Sequence, residues 1–152
     1  MKLRKAVTHD LPELNRISVI SKKHWGYPEE WIKRWMKDLA VTAGDLISQE
    51  TLVMEFEKRV IGFCSIKNQG DHYEVMHLWI LPEFIGKGYG KILLKETLTS
   101  FILEDKPIWV LADPNAESFY EKQGFMTFEK VESYPKGRFL PMMKMNSFLE
   151  RF

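Results

Sequence analysis

The segment 76–98, MHLWILPEFIGKGYGKILLKETL, constrains this chain more than any other. Its opening, 76–81, has the aromatic and apolar density of a buried strand, and Pro82 ends ladder pairing there. From Lys91 the apolar period changes: Leu94, Leu98, Phe101 and Ile102 recur at helical spacing, so a helix follows. Between strand and helix lie Ile85, Gly86, Lys87, Gly88, Tyr89, Gly90 and Lys91, with glycine at every second position from 86 to 90. A glycine-rich turn of this kind exposes several backbone N–H groups, admits a ligand close to the main chain and aims the positive end of a helix dipole at it. Such a turn is an anion cradle, and phosphate is its usual anion.

Which phosphate ligand follows by exclusion. The dinucleotide fingerprint needs a third glycine three residues after the second, where Gly88 and Gly90 are followed by Lys91 and Leu93. The mononucleotide loop needs a glycine where Leu81 stands and Ser or Thr after its lysine. Set against the plainer reading of a flexible turn, what remains is a diphosphate held mainly by backbone amides.

A chain of 152 residues reads as one domain, 1–152, large enough to bury about 68–70% of its unfolded surface without staples. Basic residues exceed acidic ones by a single charge, so no global field points to nucleic acid or an anionic membrane. The one cysteine, Cys64, lies among Ile61, Phe63 and Ile66 and reads as a buried structural thiol. The chain starts directly in charged residues, and no apolar run reaches ~18 residues. The expectation is a soluble cytoplasmic protein.

In chain order, 3–7 is a weak first strand, and Asp10, Pro12 and Glu13 predict a helix start with Asp10 as N-cap. Leu14, Ile17, Ser18 and Ser21 carry that helix toward Lys23, and a break at 24–28 precedes a second helix over 29–39. Trp31 and Trp35 of that helix read as core, whereas His24, Trp25 and Tyr27 sit in the break, where polar-tipped aromatics line pockets. Residues 51–57 and 60–67 alternate about Lys58 and Arg59 as a hairpin, and Gly70 and Asp71 lead into a strand over 72–81. After the loop helix, 108–112 is a short buried strand. Asp113, Pro114 and Asn115 then open a helix in which Ala116, Phe119 and Tyr120 share a face, closed by Gly124 in the left-handed conformation. Strands over 126–132 and 139–145 flank a turn at Pro135, Lys136 and Gly137. The order predicts a mixed α/β sheet with helices on both faces.

Several chemistries are excluded. His72 and His77, an odd spacing apart on one strand, are expected on opposite faces, and neither H-E-x-x-H nor C-x-x-C occurs, so no metal site is expected. No G-x-S-x-G elbow is present, nor a helix of clustered arginines for nucleic acid.

The glycine loop is followed by the segment 113–125, DPNAESFYEKQGF. Together the two resemble the GNAT superfamily of acyl-CoA-dependent N-acyltransferases. The loop matches that family's R/Q-x-x-G-x-G/A signature at Gly88 and Gly90, and the second segment matches its helix signature through Asn115, Phe119, Tyr120, Gly124 and Phe125. The first signature position, usually Arg or Gln, is Ile85 here. With the order of predicted elements, the resemblance covers nearly the whole chain. It implies a mostly antiparallel sheet of about six or seven strands, splayed where the cofactor lies, with about four helices.

The resemblance also implies acetyl-CoA as cofactor and a site to receive it. Its pantetheine would pair with the main chain of Leu78, Trp79 and Ile80, where a backbone N–H also meets the developing oxyanion. Its diphosphate would lie on Ile85, Gly86, Lys87, Gly88, Tyr89, Gly90 and Lys91, with Asn115 and Phe119 along the arm. Attack needs a neutral amine, yet an alkyl ammonium with a pKa near ~10.4 is about 0.04% neutral at pH 7. Glu74 matches the family's strand carboxylate and shares a face with Met76 and Leu78 if the strand is regular; His77 is the competing base. Tyr120 matches the general acid that protonates the leaving thiolate. His24, Trp25, Tyr27 and Arg138 fall where the acceptor wall is expected, the aromatics suiting a flat or cationic amine and Arg138 a carboxylate. The leading acceptor is a small-molecule amine, with a protein or peptide amine, or a non-catalytic acyl-CoA sensor, as alternatives. Edge strands near the C-terminus and the apolar Phe148 and Leu149 are compatible with a homodimer.

Overall fold

The computed structural model describes residues 1–149, and Glu150 to Phe152, the end of the expected domain, lie outside that range. Its strands are β1 (Lys2–Lys5), β2 (Glu50–Phe56), β3 (Arg59–Asn68), β4 (Tyr73–Ile80), β5 (Ile108–Leu111), β6 (Met126–Ser133) and β7 (Arg138–Met145). They form one seven-stranded sheet in the order β1-β2-β3-β4-β5-β7-β6. Every neighbouring pair is antiparallel except β4 and β5, which run parallel because a helical crossover separates them. The helices are α1 (Leu11–Lys23), α2 (Glu29–Leu39), α3 (Ala43–Ser48), α4 (Tyr89–Phe101) and α5 (Glu117–Lys122). None is long and apolar enough to cross a membrane among the described residues.

The expected mixed sheet with helices on both faces is present, with one more helix than predicted. The addition, α3, is closed by a reciprocal capping box between Thr42 and Asp45 but has no buried residue, so it left no apolar stripe to read. The β2–β3 hairpin turns on Glu57 and Lys58, whose φ angles of 52° and 66° give the mirror-image turn that suits strand twist; Arg59 already belongs to β3. Asp10 is the N-cap residue of α1, as expected, but its side chain makes no capping hydrogen bond to the helix. Its carboxylate turns back to accept from both terminal nitrogens of Arg4 and from the Val7 N–H at 2.7 Å, tying β1 to the helix start.

Register assigns the faces. Ile66, Cys64, Val75 and Leu78 point to one side, where α4 buries Leu93, Leu94, Thr97 and Leu98. Phe63, His77 and Trp79 point to the other, where Ile32, Trp35 and Leu39 of α2 pack with Val19 and Trp79. Burying both faces explains why the second half of β4 reads as a nearly continuous apolar run.

The sheet opens at one place. β4 and β5 pair only at Tyr73 with Ile108, Glu74 with Trp109 and Val75 with Val110. Along β3, Ile66 faces Val75 while the adjacent Ser65 faces His77, so Met76 is an inserted, bulged residue. Beyond it β4 runs on to Ile80, whereas β5 ends at Leu111 and the Ala112 N–H turns to Pro141. The bulge corrects two expectations that assumed a regular strand. Glu74 shares its face with His77 and Trp79, not with Leu78, and His72 and His77 lie on the same face.

Candidate active site

The split between β4 and β5 opens a hollow on each side of the sheet. The first, about 470 Å³, is entered past the glycine loop and ends against α5. The loop folds as the sequence predicts: Gly86 and Gly88 have φ of 84° and 83°, conformations that L side chains rarely adopt, and a Cβ at either would meet open space. Gly88 is the N-cap of α4, leaving the first-turn amides of a 13-residue helix facing the hollow's mouth. A Cβ at Gly90 would be in van der Waals contact with the Phe119 ring, 3.6 Å away, so the loop and α5 lie close together.

Of the residues expected at the cofactor, Leu78, Trp79, Ile80, Ile85, Gly86, Gly88, Tyr89, Gly90, Lys91, Asn115, Phe119 and Tyr120 line this hollow. Lys87 does not; its ammonium lies over the Phe84 ring, 5.8 Å from the centroid. A diphosphate fits this cradle, since the positive-φ glycines leave the main chain bare where it would lie and Lys91 belongs to the same wall. Tyr120 is buried between Phe119 and Phe125, whose rings meet it edge-on at 5.2 and 5.5 Å. Burial pushes its phenol far above the ordinary tyrosine range, with the Cys64 sulfur adding to the shift. Burial likewise pushes the Cys64 thiol up to about 12, which keeps it a protonated core group.

The second hollow, about 430 Å³, lies on the opposite face between α2, α3 and the ends of β4 and β7. It shares Val75, Met76, His77, Trp79 and Leu111 with the first, so the two meet where the strands part. Glu74 lines this second hollow and not the first, with Gln69 donating to its carboxylate at 3.4 Å. His77 borders both. Burial, slightly opposed by Asp45, pulls its pKa down to about 4, and its Nδ1 accepts the Trp79 indole N–H at 3.0 Å. The neutral ring therefore carries its hydrogen on Nε2 and has its one lone-pair nitrogen occupied.

The four residues expected at the acceptor do not line one cavity. Arg138 lines the second hollow, but Trp25 lines the first, beside Ser21. His24 and Tyr27 line neither. His24 is exposed and packs edge-on against Trp25 at 5.3 Å. The Tyr27 hydroxyl is a strut: it donates to Asp113 at 3.1 Å and accepts from Asn115 at 3.0 Å and Arg138 at 3.1 Å.

That strut belongs to a buried polar cluster that sequence reading missed. Lys22 pairs with Asp113 at 2.5 Å, Arg138 approaches the same carboxylate oxygen at 3.5 Å, and all three side chains are only 11–12% exposed. Both cations also lie over the Trp35 ring, whose N–H donates to the Tyr134 carbonyl at 3.1 Å. Burial pushes the Asp113 carboxyl up, but Lys22, the Asn115 N–H and Tyr27 outweigh it and hold the group below the usual range. Burial pulls Lys22 down, and Asp113 opposes that shift. Asp113, not Asn115, is the local cap, accepting from the Asn115 N–H at 2.8 Å. One signal was available: Lys22 stands four residues after Ser18 on the face that Leu14, Ile17 and Ser21 bury.

Residues 48–127 match the family described as Acetyltransferase (GNAT) domain. An uncharacterized N-acetyltransferase, ycf52, of Gracilaria tenuistipitata var. liui is 28% identical over 101 residues, covering 64% of this chain and 56% of that protein. The chain thus spans little more than half the length of this curated relative. Among solved structures, a GCN5-related N-acetyltransferase from Rhodopseudomonas palustris superposes with a TM-score of 0.77 at 25% identity, covering 95% of this chain and 94% of that one. The PaiA N-acetyltransferase of Thermoplasma acidophilum, solved in complex with coenzyme A, shares the fold with a TM-score of 0.73 at 24% identity, covering 95% and 98%.

Proposed function

The chain belongs to the GNAT acetyltransferase family, and from that premise we propose that it transfers an acetyl group from acetyl-CoA to the amine of a small molecule by direct attack. One observation carries the reading: a hollow with an anion cradle at one end and a buried phenol at the other meets a second hollow, holding a carboxylate, through the split between β4 and β5. Acetyl-CoA, when bound, supplies a thioester whose carbonyl carbon accepts the amine nitrogen and whose sulfur leaves as a thiolate.

The residues divide the remaining work. The amides of Gly86, Gly88, Tyr89 and Gly90 bind diphosphate, with Lys91 adding charge. The main chain of β4 past Val75, unpaired on its β5 side, offers N–H groups to the cofactor arm and to the oxyanion. Tyr120, kept protonated by burial, gives its proton to the thiolate. Glu74 takes the proton that the amine loses, from the acceptor's side of the sheet. His77 is the poorer base because its one lone-pair nitrogen already accepts the Trp79 indole N–H. Its Nε2–H makes it a donor that orients, and the Trp79 indole fixes the ring.

The test is thiol release from acetyl-CoA across a panel of small amines and lysine-containing peptides, beside calorimetry of acetyl-CoA binding. Saturable binding with turnover of at least one small amine is expected, and Glu74→Gln should lower that turnover most at low pH, where free amine is scarcest. Binding without turnover would leave a sensor, and turnover of peptides alone would move the acceptor to protein.

A further inference from the structure

Resting on the acyl-transfer reading above, we infer that the acceptor is a zwitterion, an amino acid or a molecule of that class, whose carboxylate is gripped by Arg138 and Lys22 while its amine lies toward Glu74. The carrying observation is a charge imbalance. Two cations, Lys22 buried and Arg138 largely so, share one carboxylate, Asp113, and among the described residues no second carboxylate is in ion-pair contact with either. A buried cation without a full counter-charge is costly, and the arrangement is relieved when an anion arrives beside it.

That imbalance faces a cavity. Lys22 and Arg138 both line the second hollow, and Asp113 is absent from its wall, so the side turned to the hollow is positive. Arg138 spends one terminal nitrogen on Tyr27 at 3.1 Å, with Asp113 nearby, and the other on Ser133 at 3.4 Å. A guanidinium has five N–H donors in a planar fork, so several remain to meet a carboxylate. The Trp35 ring beneath the guanidinium, 4.5 Å away, holds that plane in place. Elsewhere on the same wall stand Glu74, Asp45 and Asp38, which suit an ammonium or amine, and Lys37, a third cation. A wall with both signs fits a zwitterion better than a polyamine, which the three cations would repel, or a dianion, which the acids would repel.

The experiment compares matched acceptors: amino acids, the amines left when their carboxylate is removed, the corresponding amino-acid amides, and spermidine. Thiol release and acetyl-CoA calorimetry are followed together. The expected result is a kcat/KM for the best amino acid about 100-fold or more above its decarboxylated and amidated partners. Arg138→Gln should raise KM for that amino acid by roughly the same factor with little change in kcat, Arg138→Lys should recover part of the loss, and acetyl-CoA affinity should stay as in the parent. Equal or faster turnover of the decarboxylated amines or spermidine overturns the inference and leaves acyl transfer standing. So does cofactor binding with no amino acid turned over. Failure to bind acetyl-CoA overturns both, and the calorimetry alone distinguishes that case.

Discussion

The indole N–H of Trp79 donates to Nδ1 of His77, its neighbour two residues back along β4, at 3.0 Å. The bond is possible because residues two apart share a face of the strand, here the one over Phe63. Buried there, the imidazole has a pKa of about 4, against an ordinary value of 6.5. The folded protein therefore binds fewer protons than the unfolded chain between those two values, so the stability linked to His77 is complete above pH 6.5 and lost as pH falls toward 4. The shift corresponds to about 3 kcal/mol. Chemical denaturation at pH 7 and pH 4.5 should show this loss, and His77→Asn, whose side-chain oxygen still accepts from the indole, should flatten the slope across that window. An unchanged slope in the variant would remove His77 as its source.

Gly62 sits opposite Ile80, and a Cβ there would lie 2.6 Å from the Trp79 carbonyl oxygen and 2.6 Å from the Ile80 Cδ1. The side-chain atom can swing aside, but the carbonyl belongs to the backbone of the strand bordering the first hollow. Gly62→Ala should therefore destabilise the fold by about 2 kcal/mol, as overpacking does. It should also weaken coenzyme A binding, because β4 must move where the cofactor arm would pair. Urea denaturation reads the first effect and calorimetry the second. Normal stability in the alanine variant would contradict the close approach.

Much of this was legible in the sequence because the cues were local. The glycine loop declares itself by residue type, and the glycines at 86 and 88 do adopt the left-handed conformations that the reading requires. The Met76 bulge was illegible: β4 is apolar on both faces, so an inserted residue breaks no visible alternation, yet it decides which face Glu74 takes. The cluster of Lys22, Asp113 and Arg138 was hidden for another reason. Its members are brought together only when α1, the turn after β5 and β7 assemble, and no short window contains two of them. Tyr27 looked like a pocket aromatic because it lies in a helix break, and only the fold shows its hydroxyl spent on that cluster.

Asp113 anchors the cluster, and its removal has a definite sign. Asp113→Asn keeps the shape and can still cap the Asn115 N–H, but it leaves Lys22 and Arg138 buried without their counter-charge. Breaking a buried pair from one side should cost about 3 kcal/mol. The double variant Asp113→Asn with Lys22→Met should lose less than the sum of the two single changes, since it removes the stranded ammonium as well. A double-mutant cycle by thermal or urea unfolding measures the difference. Strict additivity would mean that the pair is not coupled.

Tyr120 gives the prediction that separates mechanism from packing. Its ring is held by Phe119 and Phe125, so Tyr120→Phe should preserve the α5 core and leave acetyl-CoA affinity nearly unchanged. If the hydroxyl protonates the departing thiolate, kcat should fall roughly ten- to a thousandfold on any acceptor the protein uses. The pH dependence adds a second constraint. Because burial raises the phenol above its ordinary value of 10.0, the acid form persists through the alkaline range. The kcat profile of the parent should thus show no descending limb from this group below about pH 10. A limb near pH 9 that disappears in Tyr120→Phe would mean that the phenol titrates in water and is not the buried acid described here. Unchanged turnover in the phenylalanine variant would take Tyr120 out of the chemistry altogether.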